Sequence, residues 1–166
     1  MWRYKYVSQI DMRDCGVAAL ASVAKHYGSH FSLAHLRELA KTSKEGTTAL
    51  GIVEAAKKIG FETRAIQANM ELFEMPDIPY PCIVHVNKQG KLQHYYVVYK
   101  VKKDSLIIGD PDPSVGVIKM AKADFAKEWT GVAIFLAPAP TYKPHKDKKN
   151  GLSSFFVRLS SSKKPS

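Results

Sequence analysis

A glutamine and a cysteine stand six positions apart in the segment QIDMRDCGVAAL, which begins at Gln9. Cys15 opens an apolar stretch that predicts a helix. The unpaired N–H groups and the positive dipole end of that helix would favour a thiolate over a thiol. The backbone N–H of Cys15 and the side-chain amide of Gln9 could stabilise a developing oxyanion from two sides. The spacing therefore predicts a nucleophile and an oxyanion donor for acyl transfer at sulfur.

A cysteine nucleophile needs an imidazole within hydrogen-bond reach and a third group that orients the imidazole. The chain has six histidines. Two of them, His85 and His94, lie on predicted strands and are the candidates for the general base. The other four lie on polar helical segments or in the basic tail, where a solvated ring is expected: His26, His30, His35 and His145.

Hairpin geometry separates His85 from His94. A turn at residues 102–104 folds the strand of His94 back against the strand that ends at Asp110, and a pairing centred on that turn places the two side chains opposite each other. A turn shifted by one residue would make them diagonal neighbours, and a register slip would favour Asp112. The same argument places no carboxylate beside His85. We therefore predict a His94–Asp110 pair, with Asp112 as the second choice.

Each of these signals alone has a simpler interpretation. A buried cysteine is more often a small core side chain than a nucleophile, and this is our interpretation of Cys82, which follows Pro81 at the start of an apolar strand. A histidine on a strand is usually a packing or surface residue, and an Asp-Pro pair is usually a turn. Together, however, the order Gln, Cys, His, Asp favours an active site.

Three helices are predicted in the first third of the chain. Asp14 is a good N-cap for a helix over residues 15–27, which Gly28 would end. Ser32 would cap a second helix to about residue 41, and Thr47 or Thr48 would open a third over residues 49–59. The apolar positions of these segments recur with the period of a helix.

The period then changes to that of strands and short turns. Helices first and antiparallel hairpins afterwards give an α+β domain, with the N-terminal helical part packed on a twisted antiparallel sheet. The predicted strands are residues 61–68, 82–86, 92–101, 105–110, 115–120 and 131–136, with short helices at 70–74 and 122–129.

The bulk composition suits one well-filled domain. The chain has 166 residues, of which 45% are hydrophobic. No secretory h-region and no apolar run of membrane-spanning length is expected in it. Its two cysteines are therefore expected to be reduced thiols in the cytosol rather than a disulfide.

The net charge of +10 is concentrated at one end. Residues 138–166 carry seven Lys or Arg and a single Asp, so about +4 is left for residues 1–137. That excess is ordinary for a folded domain and disfavours nucleic acid as a partner. We predict a catalytic domain over residues 1–137 and a basic linker or tail over 138–166, which contains a short apolar patch at 152–159.

The residues in these motifs resemble the cysteine peptidase domain at the N-terminus of ABC transporters that export bacteriocins and pheromones. The resemblance covers most of residues 6–138. It implies a papain-like fold with Cys15 as nucleophile, His94 as general base and acid, Asp110 as its orienting partner and Gln9 as oxyanion donor. The segments that show the resemblance are QIDMRDCG, HYG, TALGIVEAAKKIGF, HYYVVYKV and GDPDPSVG.

One position departs from this pattern. Ala19 stands where members of the family often have a second cysteine, but it lies within the predicted helix and away from the chemistry. Some relatives lack the nucleophile and only bind substrate. Cys15 and His94 are both present here, which argues against that class.

The resemblance implies an endopeptidase that removes the leader of a peptide precursor after Gly-Gly, coupled to export. Its partners would be a precursor with an amphipathic leader and the transmembrane and nucleotide-binding domains of a transporter, on the cytoplasmic side of a bacterial membrane. No cofactor is expected for the peptidase, and ATP would bind only in the absent nucleotide-binding domain, since this sequence has no GxxxxGK[ST] motif. The alternatives are a non-catalytic leader-binding module and a thiol acyltransferase or amidase.

Overall fold

The computed structural model describes residues 4–148. Its α-helices are α1 (Cys15–His26), α2 (Leu33–Ala40), α3 (Ala49–Lys58) and α4 (Lys122–Glu128), with 3-10 turns at Met12–Asp14 and Met70–Glu74. The strands are β1 (Phe61–Gln67), β2 (Cys82–Lys88), β3 (Leu92–Val101), β4 (Ser105–Asp110), β5 (Gly116–Ala121) and β6 (Trp129–Pro138). They form one antiparallel sheet in the order β1-β6-β2-β3-β4-β5. The predicted α+β architecture is confirmed.

In two of the three N-terminal helices, the predicted capping residue makes a hydrogen bond with its side chain. In the remaining helix, α1, it does not. The hydroxyl of Ser32 accepts from the backbone N–H of His35 at 3.1 Å, and that of Thr48 accepts from Gly51 at 3.0 Å. Asp14 stands at the N-cap position of α1 as predicted, but its side chain makes no capping hydrogen bond. The chain enters α1 through the 3-10 turn, so the backbone of Asp14 is already helical and its carboxylate is used elsewhere.

The sheet has a core on each face. Along β2 and β3, Ile83 and Val97 point toward the helical layer, whereas Val84 and Tyr96 point to the opposite face. Helix α1 is buried from Cys15 to Ala24. Its small side chains allow it to lie between the sheet and the other helices. Cys15 therefore begins a central helix that is packed on all sides.

The opposite face is covered by the second 3-10 turn and α4. The ring of Phe73 packs edge-on against Phe125 at 5.5 Å and at a tilt against Trp129 at 5.0 Å. In the same core lies Cys82, which is fully buried. Its burial raises the pKa of the thiol to about 12. The interpretation of Cys82 as a core side chain is confirmed.

Residues 139–148 pack on the helical layer. Tyr142 stacks at a tilt on Phe61 at 5.0 Å and donates to the carbonyl of Tyr27 at 3.0 Å. His30 and Lys146 form a parallel bridge. The first part of the predicted tail is thus in contact with the domain, while 149–166, including the apolar patch, lies outside the described residues. The division at residue 137 stays a prediction.

Within residues 4–148, no helix has both the length and the apolar character needed to cross a bilayer.

Candidate active site

Cys15, His94 and Asp110 meet at one edge of the sheet. Cys15 begins α1, His94 lies near the start of β3, and Asp110 ends β4. All three are buried, with 5%, 3% and 1% of their surface exposed. Nε2 of His94 lies 2.6 Å from Oδ1 of Asp110, and the Cys15 side chain is near enough to the same imidazole to raise its pKa. Because Asp110 engages Nε2, Nδ1 is the ring nitrogen left for the sulfur.

The pairing of β3 with β4 differs from the predicted register. Val97 pairs with Gly109, and the register shifts between Val98 and Lys100. Continued toward the sheet edge, this register places residue 112 opposite His94. Of the two arrangements predicted for Asp110, directly opposite His94 or diagonal to it, the structure therefore has the diagonal one, on the same face and within reach of the imidazole. An irregularity inside a strand has no local sequence signal, which is why the sequence could not choose between the two arrangements.

The second-choice carboxylate takes no part in this contact. Asp112 accepts from the backbone N–H of Ser114 at 2.9 Å and from its hydroxyl at 2.8 Å. Its own backbone N–H donates to Oδ1 of Asp110 at 2.9 Å. Asp112 therefore supports the Asp110 carboxylate through its backbone.

The imidazole of His94 is held in its charged form. Burial lowers its pKa, but hydrogen bonds with Asp110 and then with Cys15 outweigh burial and raise the pKa to about 9. For Asp110, burial raises the pKa. Hydrogen bonds from His94, from Lys88 and from the backbone of Asp112 lower the pKa by more than burial raises it, so the net shift is downward. At neutral pH the site therefore holds an imidazolium between a carboxylate and a cysteine sulfur.

The N-terminal segment is tied to the end of β4. The hydroxyl of Tyr6 donates to the carbonyl of Asp110 at 2.6 Å, and the backbone N–H of Gln9 donates to the carbonyl of Pro111 at 2.8 Å. The side-chain oxygen of Gln9 is buried and accepts no hydrogen bond from the described residues. Its amide is thus not used to hold the fold, and its role as oxyanion donor stays a prediction.

Comparison with known proteins decides the family. The model of the peptidase C39 family matches residues 3–141. The chain belongs to the peptidase C39 family.

Its curated relatives are longer proteins. The chain is 62% identical over 151 residues to the mesentericin-Y105 transport/processing ATP-binding protein MesD of Leuconostoc mesenteroides, covering 91% of this chain and 21% of MesD. It is 59% identical over 154 residues to the transport/processing ATP-binding protein ComA of Streptococcus pneumoniae, covering 93% of this chain and 22% of ComA. This C39 chain therefore spans about a fifth of the length of these relatives.

Solved structures show the same fold. The peptidase domain of Streptococcus ComA superposes with a TM-score of 0.78 at 69% identity, covering 81% of this chain and 98% of that one. A double glycine motif protease from an AMS/PCAT transporter, in complex with its leader peptide, superposes with a TM-score of 0.73 at 27% identity, covering 81% and 91%. The predicted papain-like cysteine peptidase fold is confirmed.

A lysine that the sequence analysis did not select completes this C39 site. Nζ of Lys88 lies 2.6 Å from Oδ2 of Asp110, so His94 and Lys88 each occupy one carboxylate oxygen. The predicted strand ends at residue 86, whereas β2 continues to Lys88. Because Val86 pairs with His94, Lys88 is a diagonal neighbour of His94 on the same face. The segment NKQGK, residues 87–91, lies between the predicted strands at 82–86 and 92–101. Extending the predicted hairpin through this segment would have placed Lys88 on β2.

Asp14, the residue before Cys15, is held in place by a buried ion pair. Asp14 is fully buried, and Arg37 of α2 donates to its two oxygens at 2.7 and 2.8 Å. The hydrogen bond from Arg37 is the largest cause of the lowered pKa of Asp14. Asp14 also accepts from the backbone N–H of Asp11 at 3.1 Å. The pair therefore fixes the turn from which Cys15 projects.

We expect Arg37→Ala to destabilise the domain by about 3 kcal/mol at pH 7, because it leaves a buried carboxylate without its counter-ion. The lowered pKa of Asp14 means that its contribution is present above its ordinary pKa and lost as the pH falls below it. The difference from the parent should therefore shrink in urea unfolding at pH 3. Arg64→Ala, at an exposed position on β1, is the matched control and should change stability by less than about 0.5 kcal/mol. Equal losses in the two variants would contradict the assignment.

The other strand histidine has a different partner. Nδ1 of His85 lies 3.0 Å from the hydroxyl of Thr130, which itself donates to the carbonyl of His85 at 3.0 Å. Burial lowers the pKa of His85, which favours a neutral ring. The partner of His85 is thus Thr130 and not a carboxylate, in agreement with the hairpin argument. His85 also lines the cleft described next.

A cleft of about 450 Å³ opens beside Cys15. One wall is the loop before α3, and the other is formed by the β2–β3 hairpin and β6. The hydroxyl of Tyr95 donates to the carbonyl of Thr47 at 3.0 Å, which connects the walls across the floor. The exposed side chain of Met12 stands at the rim. The lining residues are Met12, Cys15, Ser43, Glu45, Gly46, Thr47, Thr48, Ala49, His85, Gln93, Tyr95 and Val132.

Proposed function

We propose that this chain is the peptidase part of a peptide-exporting ABC transporter and cleaves the leader of a peptide precursor after Gly-Gly. The observation that carries the proposal is the buried hydrogen bond of His94 with Asp110, beside the buried Cys15 that raises the pKa of the same imidazole. That arrangement is what nucleophilic catalysis by a cysteine needs. The similarity to a double glycine motif protease with a bound leader peptide and to processing transporters supports the choice of substrate.

In the proposed reaction, the Cys15 thiolate attacks the carbonyl carbon of the second glycine and a C–S bond forms. The resulting oxyanion is stabilised by the backbone N–H of Cys15 and the side-chain amide of Gln9; loss of one such donor costs about 10²- to 10³-fold in rate. The His94 imidazolium then gives its proton to the departing amine as the C–N bond breaks. Water, deprotonated by His94, hydrolyses the thioester and restores the thiol.

The surroundings of Cys15 support selection by shape. Only 5% of its surface is exposed, so a substrate backbone must come close to the start of α1. Residues without side chains can do so, whereas a branched side chain at either position before the cut would contact the walls of the cleft. Glycine at both positions is therefore favoured by rejection of larger residues.

The proposed steps are carried by side chains and water, so the proposal assigns no cofactor to the peptidase. The precursor is the proposed partner at the cleft. The transmembrane and nucleotide-binding domains are other parts of the proposed transporter, and ATP would bind in the nucleotide-binding domain. In this proposal the peptidase lies on the cytoplasmic side of the membrane. The size of the relatives, about five times that of the matched region, supports this arrangement.

The proposal is tested with a synthetic precursor whose amphipathic leader ends in Gly-Gly, followed by several residues of cargo. Mass spectrometry is expected to find two fragments whose masses place the cut after the second glycine. A matched precursor with valine at that position should stay intact. Binding without fragments would favour a leader-binding module, and release of a small amine irrespective of Gly-Gly would favour an acyltransferase or amidase.

The raised pKa of His94 predicts the alkaline limit of activity. The imidazolium must supply a proton to the leaving amine, so kcat/KM should fall as His94 loses its proton near pH 9. A profile of kcat/KM between pH 6 and 11 measures this limit. An alkaline limb near pH 6.5, the ordinary pKa of histidine, would contradict the assignment.

A further inference from the structure

A second cluster of reactive side chains lies on the helical layer. His35 belongs to α2, whereas His145 and Asp147 belong to the segment after β6. Nδ1 of His35 lies 3.0 and 3.1 Å from the two carboxylate oxygens of Asp147, and Nε2 of His145 lies 2.7 Å from Oδ1. One donor atom from each residue fits within 4.8 Å of the others. The cleft beside Cys15 is lined by other residues.

The two imidazoles are oriented by a shared aromatic neighbour. Phe31 stacks on His145 at 5.0 Å with an interplanar angle of 24° and meets His35 edge-on at 5.5 Å. Phe31 is itself buried. The rings are therefore held in place by the core rather than by the carboxylate alone.

The backbone around the cluster is fixed as well. His30 donates its N–H to the carbonyl of His145 at 2.7 Å, and its carbonyl accepts from the N–H of Asp147 at 2.8 Å. The carboxylate of Asp147 also accepts from the backbone N–H of Ser32 at 2.8 Å, which holds one oxygen from outside the cluster. Outer hydrogen bonds of this kind orient the ligands of metal sites in proteins.

Two imidazole nitrogens and one carboxylate oxygen are donors that suit zinc, whereas calcium and magnesium prefer oxygen ligands throughout. In a tetrahedral zinc site with bonds of about 2.0–2.1 Å, neighbouring donors lie about 3.3 Å apart. The two histidine nitrogens lie 2.7–3.1 Å from the Asp147 oxygens, which are hydrogen-bond lengths close to that value, and the three donor atoms all lie within 4.8 Å of one another. We propose that His35, His145 and Asp147 bind a divalent transition metal of the zinc type.

The exposure of the cluster fits a three-ligand site. About half of the His145 side chain and 39% of that of His35 face solvent, while Asp147 is largely covered. Water can therefore supply a fourth ligand. On binding, the hydrogens on the nitrogens that now face Asp147 would leave those nitrogens, either for solvent or for the other nitrogen of the same ring. The ion would join the segment after β6 to the start of α2, a structural connection independent of the peptidase reaction.

The sequence gives no local sign of such a site. His35 and His145 are 110 positions apart, and no short ligand spacing connects them. Only the return of residues 139–148 to the helical layer brings the donors together.

The test uses the full 166-residue chain without an affinity tag, in a Cys15→Ala background that removes the competing sulfur. Equilibrium dialysis against Zn²⁺ is expected to give one ion per chain. His145→Gln should weaken binding by about 100-fold or more, since even residues behind the ligands contribute 10- to 100-fold. Co²⁺ should give the visible absorption of a tetrahedral site.

His30→Gln is the matched control, because the hydrogen bonds of His30 with the cluster are made by its backbone N–H and carbonyl. It should bind Zn²⁺ like the parent. At a hundredfold excess over Kd, Zn²⁺ should raise the Tm of the parent and of His30→Gln by about 5–10 °C but not that of His145→Gln. Binding of less than a tenth of an equivalent would overturn the proposal, as would equal affinity in parent and His145→Gln, both of which are expected to fold without metal.

Discussion

Replacement of Cys15 by alanine is expected to lower kcat/KM for a double-glycine precursor by about 10⁴-fold or more, to the level left when a protease loses its nucleophile. The sulfur is the group at this site that forms the covalent bond, and His94 already faces it. The substitution removes one buried atom at the start of α1, so the cleft is unchanged. We therefore expect the variant to bind the precursor with the parent affinity, measured by calorimetry, and to leave it intact.

The chain supplies its own control cysteine. Cys82 is fully buried, and burial raises its pKa to about 12, so Cys82→Ala should keep kcat/KM within about twofold while losing some stability to a small cavity. A thiol-alkylating reagent should label Cys15 in the folded chain and leave Cys82 unmodified. Cleavage by Cys15→Ala, or loss of cleavage in folded Cys82→Ala, would remove the basis of the mechanism.

Local signals in the sequence were sufficient to predict where most helices and strands lie. Ser32 and Thr48 cap their helices as predicted, because a cap depends on a hydroxyl and an N–H three residues away. The strand carrying His94 also has its predicted bounds, Leu92–Val101. The turn after this strand brings two candidate carboxylates, Asp110 and Asp112, toward His94. The His94–Asp110 pair could therefore be predicted before the register was known.

Features that depend on two distant segments were not predictable in this way. Arg37 meets Asp14 across 23 positions, and nothing near Asp14 distinguishes a buried ion pair from a helix cap. The contact of Lys88 with Asp110 depends on how far β2 extends and on the shift in β3. Packing of residues 139–148 on the helices was hidden by a Pro- and Lys-rich composition that is typical of linkers.

The ion pair between Lys88 and Asp110 predicts an unusual pattern for an amide at position 110. Oδ1 of Asp110 accepts from His94 and from the backbone of Asp112, while Oδ2 accepts from Lys88. An asparagine has one acceptor, so its NH₂ must face either the Lys88 ammonium or the His94 ring. We expect Asp110→Asn to lower kcat/KM by about 10²- to 10⁴-fold, the upper value being that of a triad forced into the wrong tautomer.

Removing the ammonium should relieve this conflict. In Asp110→Asn/Lys88→Met the amide oxygen is free to accept from His94 and Asp112, so kcat/KM should recover at least about tenfold from the single variant. Lys88→Met alone should cost less than about tenfold, and Lys91→Met, an exposed lysine in the same hairpin, should have no effect.

The pH profile separates this positioning role from a merely structural one. Loss of the negative charge at position 110 replaces the charged hydrogen bond that most raises the pKa of His94 by a weaker neutral one, so the alkaline limb in the double variant should move below pH 9. A double variant no more active than Asp110→Asn would show that Lys88 does not orient the residue at 110. An unmoved alkaline limb would show that Asp110 does not hold the proton on His94.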